Sequence, residues 1–323
     1  MGRCMFCLLL GLTALYSCSK KEKEVQLPLG VWENVTDFPD VSHPGSVAFV
    51  LNDIAFIGAG TLWAKDFYAY TPSTNQWIKI ADLPRGRLQA LGFSLLGKGY
   101  VLGGYDSTGD LNDFWEYDPA QNAWTHLPDF PGAARTSATV LTLGNKAYLG
   151  TGWTHLAGSG VQMQLSDWWE YDPLSKAWTR KTDFPGGPCS FAAGIGLGTK
   201  AYLGLAGPGL SPGRQWWEYD PTLDKWKQLA DCPGTPRYGA GIFVLKDKIY
   251  AGNGSKGQGA DPKYYIYDWW EYDKEKDRWR AVASSPQLRA VGVSFSIDDV
   301  GYWGLGFDDA MGDVRDIWRF RLE

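Results

Sequence analysis

The feature of this sequence that most restricts its fold is a short aromatic string that recurs along the chain. The string DFWEYDP and its variants begin at Asp113, Asp167, Gln215 and Asp268, with a weaker copy at Asp66 and a truncated one at Asp316. In the five complete copies a Trp follows the Tyr by seven residues, and successive copies of this Trp are 47 to 54 residues apart. A period of about 50 residues indicates six similar units arranged in series.

Each unit predicts four short β-strands. An alternating run at 136–143 turns at Gly144-Asn145 into a second run at 146–150, which is the pattern of a hairpin. A loop of variable length follows, then the aromatic string, an Asp-Pro turn and a strand centred on the Trp. Gly accounts for 40 of the 323 residues and aromatic residues for 15%, which favours short strands and tight turns over helices.

The two ends of the chain predict how the six units close. The last unit stops soon after Phe320, before its Trp strand. At the other end, Trp32 is followed seven residues later by Pro39, the same spacing that separates Trp77 from Pro84. We therefore expect the N-terminal strand around Trp32 to supply the outer strand of the last unit, which pairs two sheet edges that would otherwise be exposed.

A glycine-rich segment with an aromatic residue precedes each string, as in YVLGG at Tyr100 and YLGTG at Tyr148. Together with the Tyr of the string and the spaced Trp, these segments resemble the kelch repeat. The resemblance covers about residues 30–323. It implies one all-β domain, a six-bladed kelch β-propeller with four strands in each blade.

The resemblance implies two classes of function, between which fold alone does not decide. Kelch propellers commonly serve as interaction platforms, so the first hypothesis is a non-catalytic binding or scaffold module without a cofactor. Exported bacterial propellers of this kind include proteins similar to N-acetylneuraminate epimerases, so the alternative is a mutarotase acting on an acidic sugar. A copper oxidase similar to galactose oxidase would need clustered ligands, whereas His43, His126 and His155 are scattered, and no metal site is expected.

The N-terminus predicts an export signal. Residues 1–17 contain a basic start and an apolar run that is too short to span a bilayer comfortably. The run ends before Cys18 in a sequence that resembles a lipobox, although Tyr16 fits that pattern loosely, and an ordinary secretory peptide is the alternative. Residues 18–29 would then be a lipidated Cys and a charged tether. We expect a protein that is lipid-anchored to the outer membrane and faces the periplasm.

Charge and cysteine content restrict the partners. The net charge of −5 provides no basic surface for nucleic acid, so the expected partner of a monomeric propeller is an unknown protein or an acidic carbohydrate, with the lipid as the membrane contact. Cys189 and Cys232 remain after export. They form either a disulfide or, as Cys232 suggests by replacing a Phe or Leu of other units, small buried apolar residues.

The candidate ligand-binding residues are arginines that follow the proline of the crossover between units. They are Arg87, Arg135, Arg237 and Arg289, with His43 near the corresponding place in the first unit and Cys189 breaking the pattern in the fourth. Around the mouth of a central channel, beside the long variable loops, these arginines could bind an acidic group bidentately. Alternatively, each arginine pairs with a carboxylate of an adjacent blade. The sequence leaves both interpretations open.

Overall fold

The computed structural model describes residues 29–40, 44–155, 161–209, 211–257, 261–308 and 314–323. Within these ranges the chain forms six antiparallel four-stranded sheets that follow one another along the sequence. The predicted signal segment, Cys18 and His43 lie outside the described residues. No helix in the described ranges is long and apolar enough to cross a membrane.

Each sheet is one blade, and its strands are called a to d from the central axis to the rim. The a strands are Val47–Leu51, Leu91–Leu95, Thr139–Leu143, Ala193–Leu197, Gly241–Leu245 and Val293–Ile297. The b strands are Ile54–Gly58, Lys98–Leu102, Lys146–Gly150, Lys200–Gly204, Lys248–Gly252 and Val300–Gly304. The c strands are Phe67–Thr71, Phe114–Asp118, Trp168–Asp172, Trp216–Asp220, Trp269–Asp273 and Asp316–Arg321. The d strands are Gln76–Lys79, Ala123–Leu127, Ala177–Lys181, Lys225–Gln228, Arg278–Val282 and, for blade 6, Val31–Asp37.

Blade 6 confirms the predicted ring closure. Strand Val31–Asp37 pairs antiparallel with Asp316–Arg321, and Trp32 lies opposite Phe320. Glu33 joins the same two strands through 2.7 Å ion pairs to Arg319 and Arg321. The N-terminal strand therefore completes the last blade as its outermost strand and covers the outer edge of Asp316–Arg321.

The repeated aromatic residues form the packing between blades. The Tyr of each complete string is at most 1% exposed. Phe114 of blade 2 packs edge-on against Tyr171 of blade 3, with ring centroids 5.0 Å apart. The repeated Glu joins strands b and c, because Tyr100 and Tyr148 on strands b donate hydrogen bonds of 2.8 and 2.7 Å to Glu residues on the neighbouring c strands.

The b–c loops and the d–a crossovers lie on one face of the propeller, here called the loop face. Short elements of secondary structure occur within these connections. Three two-stranded ladders form there: Tyr105–Asp106 with Gly109–Asp110, Trp153–His155 with Gln162–Gln164, and Arg289–Ala290 with Phe307–Asp308. The 3-10 helix Pro262–Tyr264 belongs to the b–c loop of blade 5.

The a strands surround a central channel of about 430 Å³. Its described lining consists of aliphatic, small, hydroxyl-bearing and Phe side chains without an ionisable group. The two cysteines are free and buried, and they belong to different core clusters. Burial raises the pKa of the Cys189 thiol to about 12 and that of Cys232 to about 11. Cys232 is thus the small buried residue that the sequence suggested, and the disulfide alternative is wrong.

Candidate functional site

The four predicted arginines lie inside the blades. The Arg87 side chain is 0% exposed, and its guanidinium donates two hydrogen bonds of 2.6 and 2.8 Å to the carboxylate of Asp113. A further bond of 3.0 Å goes to the carbonyl oxygen of Gly103, at the end of strand b. Arg87 therefore ties the crossover that enters blade 2 to the b–c loop of that same blade.

The same ion pair occurs in three other blades, between Arg135 and Asp167, Arg237 and Asp268, and Arg289 and Asp316. Burial alone would raise the pKa of the Asp113 and Asp167 carboxyl groups, but the hydrogen bonds and charge of the arginines outweigh burial, so both pKa values are lowered. These side chains have almost no surface to offer a ligand. Because all four are buried, they do not form an exposed ring at the channel mouth. Each arginine pairs with a carboxylate, but in its own blade rather than in the adjacent blade that the alternative named.

Blade 4 shows why its crossover lacks the arginine. Cys189 stands where the arginine would be, and Gln215 replaces the aspartate of the string. Cys189 is 1% exposed, and its backbone N–H donates to the carbonyl of Leu165 at 3.2 Å. Both members of the ion pair are therefore replaced together, so that neither charge is buried alone.

A ring of backbone hydrogen bonds surrounds the channel mouth on the loop face. In each of five crossovers, the second residue after the arginine position donates its backbone N–H to the carbonyl oxygen of the equivalent residue in the preceding blade. These bonds, of 2.9 to 3.1 Å, run from Gln89 to Gly45, Ser137 to Gln89, Phe191 to Ser137, Gly239 to Phe191 and Val291 to Gly239. All six have a positive φ of 52° to 80°, which is costly for residues other than glycine. The ring fixes where the side chains of Gln89, Ser137 and Phe191 stand at the mouth.

Beside this ring, between blades 2 and 3, the loop face contains a recess of about 410 Å³. Three aromatic side chains line it: Tyr105 from blade 2, Trp153 from blade 3 and Phe191 from the next crossover. Each is half-buried. Tyr105 and Trp153 each directly follow the last residue of the glycine-rich segment, just beyond the end of strand b.

His155, which lines the recess, is paired with Asp110 of blade 2. His155 Nδ1 lies 2.9 Å from Asp110 Oδ2, and the backbone N–H of His155 donates to the same oxygen at 2.5 Å. Gln162 Nε2 lies 2.8 Å from His155 Nε2. Both ring nitrogens of His155 therefore have a hydrogen-bonding partner, a carboxylate oxygen at Nδ1 and a side-chain amide at Nε2. The side chain of His155 is 34% exposed and that of Asp110 is 4% exposed.

The polar groups at the base of the recess are fixed by one another. Gln89 Oε1 accepts hydrogen bonds from the hydroxyl groups of Thr136, at 3.2 Å, and Ser137, at 2.7 Å. None of the described residues that line the recess is Lys or Arg. Among the described residues there is also no group of three or more His, Cys, Asp or Glu side chains placed to hold a metal ion.

The sequence analysis placed a ligand beside the long variable loops but did not name the residues of this recess. His155 and Gln162, from the b–c loop of blade 3, line it. The individual residues were missed because His155 was read as one of three scattered histidines. A usable signal existed at one repeat position, which holds Thr61 in blade 1 and Ser255 in blade 5 but large aromatic residues in blades 2, 3 and 6, of which blades 2 and 3 are neighbours.

Comparisons with known proteins agree with the repeat and the fold. A family model described as the kelch motif matches residues 97–131. Kelch-like protein 24 of Homo sapiens and of Rattus norvegicus are 30% identical over 83 residues, which is 26% of this chain and 14% of theirs. Kelch-like protein 24a of Danio rerio is 29% identical over the same length. The chain thus matches about one seventh of the length of these relatives.

Among solved structures, one titled "Structure of YjhT" superposes with a TM-score of 0.75 at 20% identity and covers 88% of this chain and 95% of that one. At this identity the likeness concerns the fold alone. With six four-stranded blades and a kelch motif at residues 97–131, the chain forms a six-bladed β-propeller whose architecture is consistent with a kelch propeller.

Proposed function

We propose that this protein is a binding propeller whose ligand occupies the recess between blades 2 and 3 on the loop face. A kelch propeller fold supports a binding or scaffold role. The proposed location rests on one observation. The aromatic side chains of Tyr105, Trp153 and Phe191 line the same recess as Gln89 and His155, whose polar groups are held by hydrogen bonds. A concave, mainly aromatic site with a few positioned polar groups is the usual form of a small-molecule site.

A ligand-observed NMR experiment on the full chain tests this proposal. Saturation transfer from the protein to a panel of sugars and short peptides would identify a ligand. Trp153→Ala should then weaken that ligand by about tenfold or more, because a central aromatic contact often contributes over 1.4 kcal/mol. The matched control is Trp63→Ala, since Trp63 is 76% exposed in the b–c loop of blade 1 and lies outside the recess. A ligand lost in the control but kept in Trp153→Ala would place the site elsewhere.

The His155–Asp110 pair favours a second candidate function, anomer exchange of a bound sugar. Ring opening removes a proton from the anomeric hydroxyl and delivers one to the ring oxygen, and a histidine held by a carboxylate can act as base and then as acid. His155 Nε2 would take the first proton once the ligand displaces the exposed Gln162 amide. The non-catalytic alternative uses the same pair as a hydrogen-bonding group.

NMR measurement of anomer exchange separates the two candidates. A mutarotase should lose about 100-fold or more of its rate in His155→Ala, the lower range for removal of a general acid–base group. His126→Ala is the control, because His126 pairs with Asp129 on an exposed part of blade 2. Sugar binding without any acceleration of exchange in the unmodified protein would leave the binding function and exclude catalysis.

The cellular location of the protein is a separate proposal, based on the sequence of residues 1–29. We infer lipidation at Cys18, export, and attachment to the outer membrane on its periplasmic side. Cys18→Ser should move the protein from the membrane fraction to the soluble fraction. An unchanged distribution between the fractions would contradict the lipid anchor.

A further inference from the structure

We infer that the recess selects an uncharged sugar-like ring and discriminates against its carboxylated counterpart. The inference rests on the proposed function, in that it takes the recess to be the binding site. It departs from the acidic ligand expected when the arginines were placed at the channel mouth. Three observations carry it: the pairing of the arginines beside the recess, the one remaining negative charge, and the groups on the recess wall.

The arginines in the described segments beside the recess are all paired with carboxylates. These segments, 85–89, 103–113, 133–137, 151–155 and 161–167, contain three arginines and four aspartates. Arg87 and Arg135 are buried against Asp113 and Asp167. Arg85 forms an ion pair with Asp106, and it also donates to the Thr108 hydroxyl at 2.5 Å. A ligand carboxylate would therefore have to break a formed ion pair to obtain a cationic partner.

The fourth aspartate, Asp110, is the negative charge left over. Asp110 pairs with the ring Nδ1 of His155, at 2.9 Å, and with no lysine or arginine among the described residues. The second oxygen, Oδ1, is buried and has no hydrogen-bond partner among the described residues. Because Asp110 is buried, water screens its charge weakly, and the negative potential acts on whatever binds beside His155.

The groups exposed to the recess suit an uncharged polyhydroxylated ring. The flat faces of Tyr105 and Trp153 offer apolar surface for the C–H face of such a ring. Gln162 and His155 offer an amide and a ring nitrogen for its hydroxyl groups. The cavity of about 410 Å³ is within the usual range for small ligands.

The test compares matched pairs of sugars that differ in one carboxylate: glucose with glucuronate, galactose with galacturonate, and mannose with mannuronate. Affinities for the full chain are measured by NMR titration at fixed pH and low salt, where screening is weak. For at least one pair the neutral sugar should bind about tenfold more tightly than its uronate, as expected for like charges several ångströms apart at an intermediate dielectric.

Two variants test whether Asp110 is the cause of the preference. Asp110→Asn should raise the affinity for the uronate and reduce the difference between the pair. Gln162→Lys, at an exposed position that tolerates change, places a cation beside His155 and should also favour the uronate, whereas Gln162→Met, which adds no charge, should not. The second pair of variants keeps the test valid if Asp110→Asn fails to fold.

Each outcome has a defined meaning. A uronate that binds as tightly as its neutral partner, with both lost in Trp153→Ala, overturns the selectivity and leaves the recess as the binding site. Failure of all six sugars to bind overturns the inference. The proposed function itself fails when a bound ligand is insensitive to Trp153→Ala and is lost in Trp63→Ala.

Discussion

The backbone N–H and the ring Nδ1 of His155, in blade 3, both lie within hydrogen-bonding distance of one carboxylate oxygen of Asp110, in blade 2. His155 lines the recess, and its contacts with Asp110 link blades 2 and 3. Because Asp110 is buried, removal of its carboxylate would leave two donors of His155 without an acceptor at that position.

We therefore expect Asp110→Ala to lower the free energy of unfolding by about 1–3 kcal/mol, the usual cost of leaving buried hydrogen-bonding groups unsatisfied. Asp129→Ala is the matched control. Asp129 also pairs with a histidine, His126, but both side chains are about half exposed, and an exposed pair contributes little. Denaturant unfolding of both variants checks this. Equal stability of the two variants would contradict the structural role of Asp110.

Arg135→Ala should be strongly destabilising, by about 3–5 kcal/mol, because it leaves the Asp167 carboxylate largely buried without its partner. The chain supplies its own control in blade 4, where Cys189 and Gln215 occupy the two positions. The double variant Arg135→Cys, Asp167→Gln should lose less stability than the single one, which thermal unfolding can measure. A greater loss in the double variant would show that the buried charge is not the cause.

The lowered pKa values of Asp113 and Asp167 predict an acid-sensitive ring. A carboxyl group whose pKa is lower in the folded state contributes stability above its unfolded pKa, near the ordinary value of 3.8. That contribution is lost as the pH falls below about 4 through the folded pKa. Asp113→Asn should lower stability at neutral pH and make its dependence on pH below 4 shallower. Unfolding curves collected across this range test the slope, and an unchanged slope would refute the assignment.

A set of hydrogen bonds near the rim, here called the rim clamp, joins neighbouring blades. The boundary between blades 2 and 3 lacks it, whereas the boundaries on either side have it. In blade 2, Asn122 accepts hydrogen bonds from the Tyr117 hydroxyl, at 2.9 Å, and from the N–H of Ala81 in blade 1, at 2.9 Å. Trp124 donates to the carbonyl of the same Ala81 at 3.0 Å. Blades 4 and 5 repeat this arrangement with Asp224 and Asp277.

At the boundary between blades 2 and 3 the rim clamp is broken on both sides. Lys176 replaces the Asn or Asp, and Pro128, which has no N–H, replaces Ala81. The Tyr171 hydroxyl and the Trp178 Nε1 are buried there without a hydrogen-bond partner in the described part of the chain. This is the same boundary that holds the recess on the loop face.

Restoring the rim clamp should stabilise the protein. Lys176 has a φ of 53°, a conformation that Asn adopts more readily than Lys. Pro128→Ala with Lys176→Asn should therefore add about 1–2 kcal/mol, the sum of two ordinary hydrogen bonds. The reciprocal change, Asn122→Lys, should destabilise the boundary between blades 1 and 2. Chemical unfolding measures both, and stabilisation by the reciprocal change would contradict the role of the clamp.

Ring closure predicts the effect of a change near the N-terminus. Trp32 donates from Nε1 to the carbonyl of Ala283 at 2.9 Å, and its ring packs against Phe320 and Trp269. Trp32→Ala should cost about 3–5 kcal/mol, as for other large-to-small changes in a core. Trp63→Ala, at an exposed position, should cost almost nothing. A similar melting temperature for the two variants would mean that the N-terminal strand does not hold the ring closed.

The sequence by itself determined the ring. A string repeated six times, the spaced Trp and the Trp32–Pro39 spacing predicted six blades and the closing strand, because packing between blades requires the same residues at the same point of every blade. The same repetition limited what could be said about the arginines. Recurrence of Arg87 and its equivalents was compatible with an exposed ring and with buried pairs, since a spacing along the chain does not tell which way a side chain points.

The tertiary structure decided the site. Asp110 and His155 are 45 residues apart, belong to different blades and follow no common motif, so only the contact between blades 2 and 3 brings them together. The burial of the four arginines likewise depends on how each crossover lies over its own b–c loop. Local patterns record the interactions that every blade shares, whereas a site built where two blades differ exists only after the blades have packed.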